Sequence, residues 1–235
     1  MTVNNDVNFY SERADSYYNR ADAYNLRDKP QKAIANYTHA VDNYNKCIEL
    51  QPNNSKFYQN RALCYRQLGQ YIKAINDYST AIALSPQTAI LYYERAYCSH
   101  LQDNCREAVT DCSTAIKLEP NNYLFYYYRA MNYHILNQYT LAVADYTQAI
   151  ALSPDDYIYL ARAQCYDRLE QYAEAINDYS KYIGFNPDYS LVYYMRAASY
   201  DGLGQREKAE DDLKIYKKLE KKLKIKDFLK LRFRK

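Results

Sequence analysis

The feature that most constrains the fold is a repeat of about 34 residues that runs through nearly the whole chain. The dipeptide Arg-Ala recurs along the chain at steps of 41, 34, 34, 33 and 34 residues. It stands at Arg20-Ala21, Arg61-Ala62, Arg95-Ala96, Arg129-Ala130, Arg162-Ala163 and Arg196-Ala197. A proline series runs in phase with it, at Pro52, Pro86, Pro120, Pro154 and Pro187. A fixed period of this length predicts stacked units, each of which buries its apolar surface against its neighbours.

The unit at residues 55–88 shows what each copy is expected to form. Tyr58, Ala62 and Tyr65 lie at i, i+4 and i+7, which places them on one face of a helix. After a break around Gly69, a second stripe has the same spacing: Ala74, Tyr78 and Ala81. Alanine allows two helices to approach closely, and tyrosine fills the space beside them. Each unit therefore predicts a pair of antiparallel helices, closed by a proline that cannot continue the second helix.

The period, these landmarks and the closing Pro86 resemble the tetratricopeptide repeat family. The resemblance covers about six units. It implies an all-α, right-handed superhelical solenoid of antiparallel helix pairs. We place the array at residues 7–223. The repeats are predicted at about 7–54, 55–88, 89–122, 123–155, 156–189 and 190–223.

The N-terminal end of the array departs from the pattern. Residues 1–6 are polar and predict a short disordered lead, with Asp6 as the N-cap of a helix from about Val7 to Leu26. The second helix of the first repeat is longer by about two turns, which preserves its apolar face. Because the two helices are antiparallel, the extensions are expected to pack on each other as an N-terminal cap.

The last repeat lacks the closing proline. Its second helix continues along an apolar stripe: Leu213, Tyr216, Leu219 and Leu223. This stripe predicts a C-terminal capping helix that covers the end of the stack. Residues 224–235 form a basic tail in which apolar and basic residues alternate, and helix, strand and a frayed tail all fit that pattern.

Charge is distributed unevenly along the chain. Residues 214–235 carry 11 Lys or Arg and two acids, a net charge of +9. The total of +3 leaves −6 for residues 1–213. The segment 214–235 therefore favours an alternative function, that of an adaptor to nucleic acid or to an anionic membrane. The polar first residues have no apolar stretch typical of a signal peptide, so a cytoplasmic location is expected.

The six cysteines predict buried small side chains and no disulfides. Cys64, Cys98 and Cys165 hold the same place in three repeats, and equivalent positions one repeat apart are too distant for a disulfide. Cys105 and Cys112 lie seven residues apart on one predicted helix, which also disfavours a bridge. Free buried thiols are typical of a reducing compartment.

Each repeat also carries an arginine before its alanine landmark, and five carry an acid in the second helix. The acids are Asp77, Asp111, Asp145, Asp178 and Asp212, with Asn36 at the place in the first repeat. Such a ladder could bind a carboxylate partner. Its recurrence at every step favours the structural interpretation, in which arginine and aspartate pair between helices.

The sequence contains no catalytic constellation. His39, His100 and His134 are the only histidines, and no phosphate-binding loop or nucleophile motif accompanies them. We therefore expect no enzyme, no cofactor and no metal site. The expected function is that of a protein–protein interaction scaffold or adaptor.

The resemblance implies that the first helices line a concave groove that binds an extended peptide or a helix of a partner protein. The candidate binding residues are drawn from positions i, i+3, i+7 and i+10 of these helices, together with Asn60 and the bulky neighbour Tyr128. They are Lys56, Asn60, Arg66, Tyr93, Tyr97, His100, Tyr127, Tyr128, Met131, His134 and Tyr194. The aromatic members favour repeats three and four as the site, because aromatic side chains contribute most to interface affinity. Packing of these tyrosines against neighbouring first helices is the alternative.

One family function is disfavoured by the same positions. Members that hold acidic chaperone tails use a two-carboxylate clamp of lysine, asparagine and arginine. Only Asn60 matches it here, since Tyr18, Asp22, Ile90 and Glu94 occupy the other places. We therefore do not expect a chaperone tail of that type as the partner.

Overall fold

The computed structural model describes the backbone of residues 2–232 and the side chains of residues 6–223. Within that part the chain forms twelve α-helices and no strand, which confirms the all-α prediction. The chain divides into two compact units, Met1–Pro120 and Asn121–Lys235, although the repeat continues at the same period through both. Each unit contains three helix pairs.

The first unit contains α1 (Thr2–Asn25), α2 (Pro30–Leu50), α3 (Ser55–Gln67), α4 (Tyr71–Leu84), α5 (Ala89–His100) and α6 (Cys105–Leu118). The second contains α7 (Tyr123–Ile135), α8 (Tyr139–Leu152), α9 (Asp156–Arg168), α10 (Tyr172–Phe185), α11 (Ser190–Gly202) and α12 (Arg206–Arg232). Within each unit, each helix packs against the next one along the chain.

The turn inside each helix pair has one recurring conformation. One residue of every such turn has a positive φ: Asp28, Gly69, Asp103, Asn137, Glu170 and Gly204. Its amide and the next one donate to carbonyls of the preceding helix, as Gly69 N does to Arg66 O and Gln70 N to Tyr65 O. These bonds satisfy carbonyls that the end of a helix leaves without a partner. Only two of the six turns use glycine, so the bonds hold the left-handed residue in place in the other four.

The alanine and tyrosine landmarks form the core of each pair. Ala62, Ala74, Tyr78 and Ala81 are buried, and Leu91 of the following pair packs on them. The same arrangement recurs in the second unit, where Tyr146 takes the place of Tyr78. Burying each tyrosine ring removes a large apolar surface from water, and the hydroxyl is placed where it can find a polar partner.

The arginine–aspartate ladder is confirmed as a structural feature. In five pairs the Nε and Nη2 atoms of the arginine donate to both carboxylate oxygens of an aspartate 16 residues later, at distances of 2.6 to 2.9 Å. The pairs are Arg61–Asp77, Arg95–Asp111, Arg129–Asp145, Arg162–Asp178 and Arg196–Asp212. They join the first helix of each pair to the second.

The ladder also joins neighbouring pairs within each unit. Arg61 Nη1 donates to Asn45, and Arg95 Nη1 donates to Ser79. In the second unit the acceptors are Thr147 for Arg162 and Ser180 for Arg196. The position directly after the tyrosine of the second helix is therefore polar, because the arginine of the next pair donates to it.

The first helix begins earlier than the sequence predicts. α1 starts at Thr2, so residues 2–6 are helical where a disordered lead was expected, and Asp6 lies inside the helix and not at its N-cap. No glycine or proline interrupts these residues, so backbone hydrogen bonding can continue through them. The two predicted extensions do pack on each other, since Val7 and Ala14 share a core cluster with Tyr44 and Cys47.

Of the alternatives left open for residues 224–235, the structure shows a helix as far as Arg232, and residues 233–235 lie outside the described part of the chain. Tyr216 and Leu219 pack against the core cluster that contains Tyr179, Val192 and Tyr193. Leu223 is 52% exposed, so the capping stripe ends at Leu219 and the prediction that Leu223 covers the stack is wrong.

All six cysteines are free and buried, as the sequence predicts. Burial raises the pKa of Cys47 to about 11 and the pKa values of Cys64, Cys98 and Cys165 to about 12. Thiols with such pKa values carry almost no thiolate at neutral pH, so they are chemically inert.

Candidate functional site

The second unit contains an open pocket of about 600 Å³ on the face of its first helices. α7, α9 and α11 each contribute to it, and α10 closes one side. Its lining residues are His134, Gln164, Asp167, Arg168, Tyr172, Tyr179, Met195, Ala198 and Ser199. Three successive repeats thus supply side chains to one concavity, which is the arrangement expected of a groove for an extended ligand.

Asp167 is held at the base of this pocket by two hydroxyls. Tyr179 Oη donates to Oδ2 and Ser199 Oγ donates to Oδ1, both at 2.6 Å. Burial raises the pKa of the carboxyl, while the two hydrogen bonds oppose that rise because they stabilise the anion. Asp167 therefore fixes α9 to α10 and α11 and gives the pocket a rigid polar base.

The pKa of His134 shifts in the direction opposite to that of Asp167. Burial lowers the pKa of His134, and the nearby Arg168 charge lowers it further. The imidazole is therefore neutral at pH 7 and offers one donor and one acceptor. Arg168 is exposed and forms no ion pair among the described residues. The pocket thus presents one free cation beside a neutral histidine.

On the first helices of the first unit, the side chain of Arg66 is engaged by internal contacts. Arg66 Nε lies 3.5 Å from a carboxylate oxygen of Glu94, and the guanidinium stacks 5.2 Å from the ring centroid of Tyr97. Tyr78 Oη also lies 3.5 Å from Glu94. Burial raises the pKa of Glu94, and the Arg66 charge opposes that rise. Arg66 is consequently engaged within the chain.

Two acids of α1 face the second helix of the same pair. Asp22 accepts a hydrogen bond from Tyr37, and Asp15 accepts one from Tyr44. Burial, together with these acids, raises the pKa of both tyrosines far above the usual value. Acids on the first helices thus hold the buried tyrosine hydroxyls of the second helices in both units.

The predicted site residues fall into different environments. Lys56 is exposed, and Tyr194 is 51% exposed with its ring 5.5 Å from that of Tyr216. Tyr127 packs into the core, with its ring centroid 5.1 Å from that of Tyr157. The others are half-buried: Asn60, Arg66, Tyr93, Tyr97, His100, Tyr128, Met131 and His134.

Of these residues, only His134 lines the pocket of the second unit. The prediction did not select Arg168, Tyr172, Tyr179, Met195 or Ser199. Gln164 and Asp167 do lie at the i+7 and i+10 positions that the groove prediction uses. Following those polar positions, instead of the aromatic ones, would have led to α9, whose last residue is Arg168.

Two further observations concern metal binding and membrane insertion by the described residues. They contain no group of three or more His, Cys, Asp or Glu side chains placed to hold a metal ion. No helix among them is long and apolar enough to cross a membrane.

Four models of one family match the sequence. Tetratricopeptide repeat models match residues 14–43, 43–76, 101–157 and 135–190, and a model described as TPR repeat matches residues 62–103. The matches together extend from residue 14 to residue 190 without a gap. No curated protein matches the chain at a significant level.

Solved structures share the fold. YrrB, described as a TPR protein with an unusual peptide-binding site, is 20% identical with a TM-score of 0.70, over 75% of this chain and 91% of YrrB. A structure of MamA protein is 20% identical with a TM-score of 0.69, over 72% of this chain and 92% of that one. MamA from Desulfovibrio magneticus RS-1 is 19% identical with a TM-score of 0.68, over 72% and 96%. At these identities the likeness shows the fold alone.

Proposed function

The chain belongs to the tetratricopeptide repeat family, and we propose that it is a protein–protein interaction scaffold. It binds a peptide or a helix of a partner protein on the face of its first helices. The observation that carries this proposal is the pocket of the second unit, to which three successive repeats contribute. A peptide-binding site is also what the description of the structurally similar YrrB states for that protein.

The chemistry of the pocket selects among partner segments. Arg168 is a cation without an ion pair among the described residues, while Asp167 already accepts two hydrogen bonds. A carboxylate of the partner therefore gains more at Arg168 than a cation would gain at Asp167. Tyr172 and Met195 supply apolar surface beside it. The preferred segment carries an acidic residue next to an apolar one.

The aromatic first-helix residues are proposed to extend the binding surface within each unit. Tyr93, Tyr97 and His100 lie on α5 of the first unit. Tyr128 and Met131 lie on α7 of the second unit, next to His134. Tyr127 contributes through packing, because it supports Tyr157.

The free, buried thiols support a cytoplasmic location for this scaffold, because thiols stay reduced there. The proposal assigns the chain no catalytic step and no cofactor.

Selection of random peptides on the full-length chain, followed by affinity measurement, tests the proposal. We expect the recovered peptides to contain Asp or Glu beside an apolar residue. Arg168→Gln should weaken their binding by roughly ten- to a hundredfold, since a charge-assisted hydrogen bond contributes about 1.5–3 kcal/mol. Arg206→Gln is the matched control, because Arg206 is also exposed and carries the same charge. Equal affinity for both variants, or peptides without acidic residues, would contradict the proposed site.

A further inference from the structure

The charge of the chain changes at α12. Residues 1–120 carry 13 basic and 13 acidic side chains, for a net charge of zero. Residues 121–213 carry seven basic and 13 acidic ones, a net of −6, and residues 214–235 carry 11 and two, a net of +9. The net positive charge is therefore confined to the later part of α12 and the residues that follow it.

The packing of α12 determines which way its lysines face. Ala209 and Asp212 are buried, and Tyr216 and Leu219 pack on the core of the second unit. These residues lie at i, i+3, i+7 and i+10, which is one face of the helix. The opposite face carries exposed lysines: Lys214, Lys217, Lys218 and Lys221.

Most of these lysines are not neutralised within the chain. Lys214 pairs with Asp211 at 2.9 Å, and Lys222 lies 3.4 Å from Asp188. Lys217, Lys218 and Lys221 form no ion pair among the described residues. Residues 121–213 of the second unit carry a net negative charge and repel a polyanion, which leaves the lysine face of α12 as the place where a polyanion can bind.

Apolar residues interleave with the basic ones. On the described part of α12, Ile215 and Leu223 are 39% and 52% exposed and lie beside the lysines. The sequence continues with apolar residues among six further basic ones: Ile225, Phe228, Leu229, Leu231 and Phe233. Phosphate contacts on nucleic acid need charge and polar donors, whereas a helix on a lipid surface also buries apolar side chains at the headgroup boundary. The interleaving favours the lipid surface.

We propose that α12 from Lys214 onward is a docking surface for an anionic lipid membrane, with Lys217, Lys218 and Lys221 facing the headgroups. The helix lies along the surface while Tyr216 and Leu219 keep it attached to the second unit. This surface is separate from the pocket at Arg168, so the chain can hold a partner protein while it is bound to the membrane.

Co-sedimentation of the full-length chain with lipid vesicles tests the proposal. The probes are vesicles of phosphatidylcholine alone and of phosphatidylcholine mixed with phosphatidylserine. We expect binding only to the mixed vesicles, and we expect it to weaken as salt is added. The triple variant Lys217→Gln, Lys218→Gln, Lys221→Gln should bind roughly a hundredfold more weakly, because each basic residue near such a surface contributes roughly fivefold.

The matched control removes the same charge elsewhere. Lys29→Gln, Lys73→Gln and Lys117→Gln change three exposed lysines of the first unit and should leave vesicle binding unchanged. Arg168→Gln should also leave it unchanged, which separates this surface from the proposed peptide site. Equal binding to neutral vesicles, an equal loss in the control variant, or tighter binding to duplex DNA than to the mixed vesicles would overturn the proposal.

A second measurement reports contact by the apolar residues. The chain contains no tryptophan, so Phe228→Trp introduces a single fluorophore into α12. We expect its emission to shift to shorter wavelength with the mixed vesicles and not with phosphatidylcholine alone. An unchanged emission in vesicle-bound protein would overturn the choice of a lipid surface over a nucleic acid.

Discussion

At the scale of single residues, the contacts that recur most are those of the arginine in the Arg-Ala dipeptide. One guanidinium pairs with an aspartate of its own helix pair, donates to the preceding pair, and lies between two tyrosine rings. In Arg162 these rings belong to Tyr159 and Tyr166, with centroids 5.9 and 5.7 Å away. Three kinds of contact thus converge on a side chain that lysine could not replace, because only the planar fork of arginine supports them all.

Removing one aspartate of the arginine–aspartate ladder should destabilise the protein strongly. Asp178 is the most buried acid of the ladder, with a side chain 1% exposed, and its loss leaves Arg162 without its partner. Asp178→Ala is expected to lower the free energy of unfolding by about 3 kcal/mol in urea titrations. Glu49→Ala removes the exposed pair with Lys46 and should cost under about 0.5 kcal/mol. Similar costs for the two variants would contradict the structural role of the ladder.

His134 should make stability depend on pH in a definite direction. Its pKa in the folded chain lies below the ordinary value because burial disfavours the imidazolium. As pH falls through about 6.5, the unfolded chain takes up this proton first, so folding loses stability. His134→Gln should therefore lose less stability than the wild type when melting is followed from about pH 7 to about pH 5. A variant with the same pH dependence as the wild type would rule out this contribution.

At the scale of elements, the turn within each helix pair combines a fixed conformation with variable residues. Hydrogen bonds to the preceding helix impose a positive φ on Glu170, although glutamate disfavours it. At the equivalent place Gly204 adopts the same conformation without that cost. The turns of this chain therefore differ in strain while sharing one geometry.

Exchanging residues at these turns tests that difference. Glu170→Gly should stabilise the protein by up to about 1 kcal/mol because it relieves the left-handed strain. Gly204→Ala should destabilise it by about the same amount, since nothing lies within 4 Å of the added methyl and only the backbone is affected. The measurement is thermal or urea unfolding of both variants. Changes of the same sign would contradict the explanation.

α12 extends well beyond Leu219, the last residue of its stripe that packs on the core. A chain that ends after Asp212 loses Tyr216 and Leu219 and uncovers Val192 and Tyr193, so it should aggregate or melt at a clearly lower temperature. A chain that ends after Leu223 keeps those contacts and should melt as the full-length protein does. Light scattering and thermal melts of the two truncations distinguish them. Equal melting of both would show that α12 does not cap the repeats.

Sequence reasoning was most successful where an element repeats. The spacing of Tyr58, Ala62 and Tyr65 predicted a helix, and the recurring Arg-Ala with a later aspartate predicted the ladder, because both patterns return at every period. It was wrong at the ends, where α1 begins at Thr2 and Leu223 is exposed. At an end no neighbouring repeat constrains the chain, so periodicity carries no information there.

The candidate site was harder to predict for a different reason. The pocket depends on polar residues that differ between repeats, such as Asp167 with Ser199 and the free Arg168. Their roles come from contacts between side chains on helices about 30 residues apart in the chain. The repeat period predicts which residue types recur, and it does not predict which side chains contact each other. Abundant tyrosine directed the prediction toward aromatic residues, of which Tyr127 serves the core.

At the scale of the whole molecule, a uniform repeat coexists with two compact units. Nearest-neighbour contacts propagate through an array of identical pairs and would favour one gradual unfolding transition. The division at Pro120 and Asn121 instead predicts two cooperative blocks, each with its own core. Both units contain cysteines, so thiol labelling can follow the unfolding of each unit.

Thiol labelling can follow the two blocks separately. Cys47, Cys64, Cys98, Cys105 and Cys112 lie in the first unit, while Cys165 alone lies in the second. In the native protein no thiol should react, because all six are buried. Burial also raises the pKa values of Cys47, Cys64, Cys98, Cys105 and Cys165.

With increasing denaturant, we expect the five thiols of the first unit to be labelled with one shared midpoint and Cys165 with a different one, as measured by mass spectrometry of proteolytic peptides. Cys165→Ser, made as the control, should leave the midpoint of the other five in place. A single midpoint for all six would show that the chain unfolds as one cooperative block, in which contacts across successive repeats outweigh the division into units.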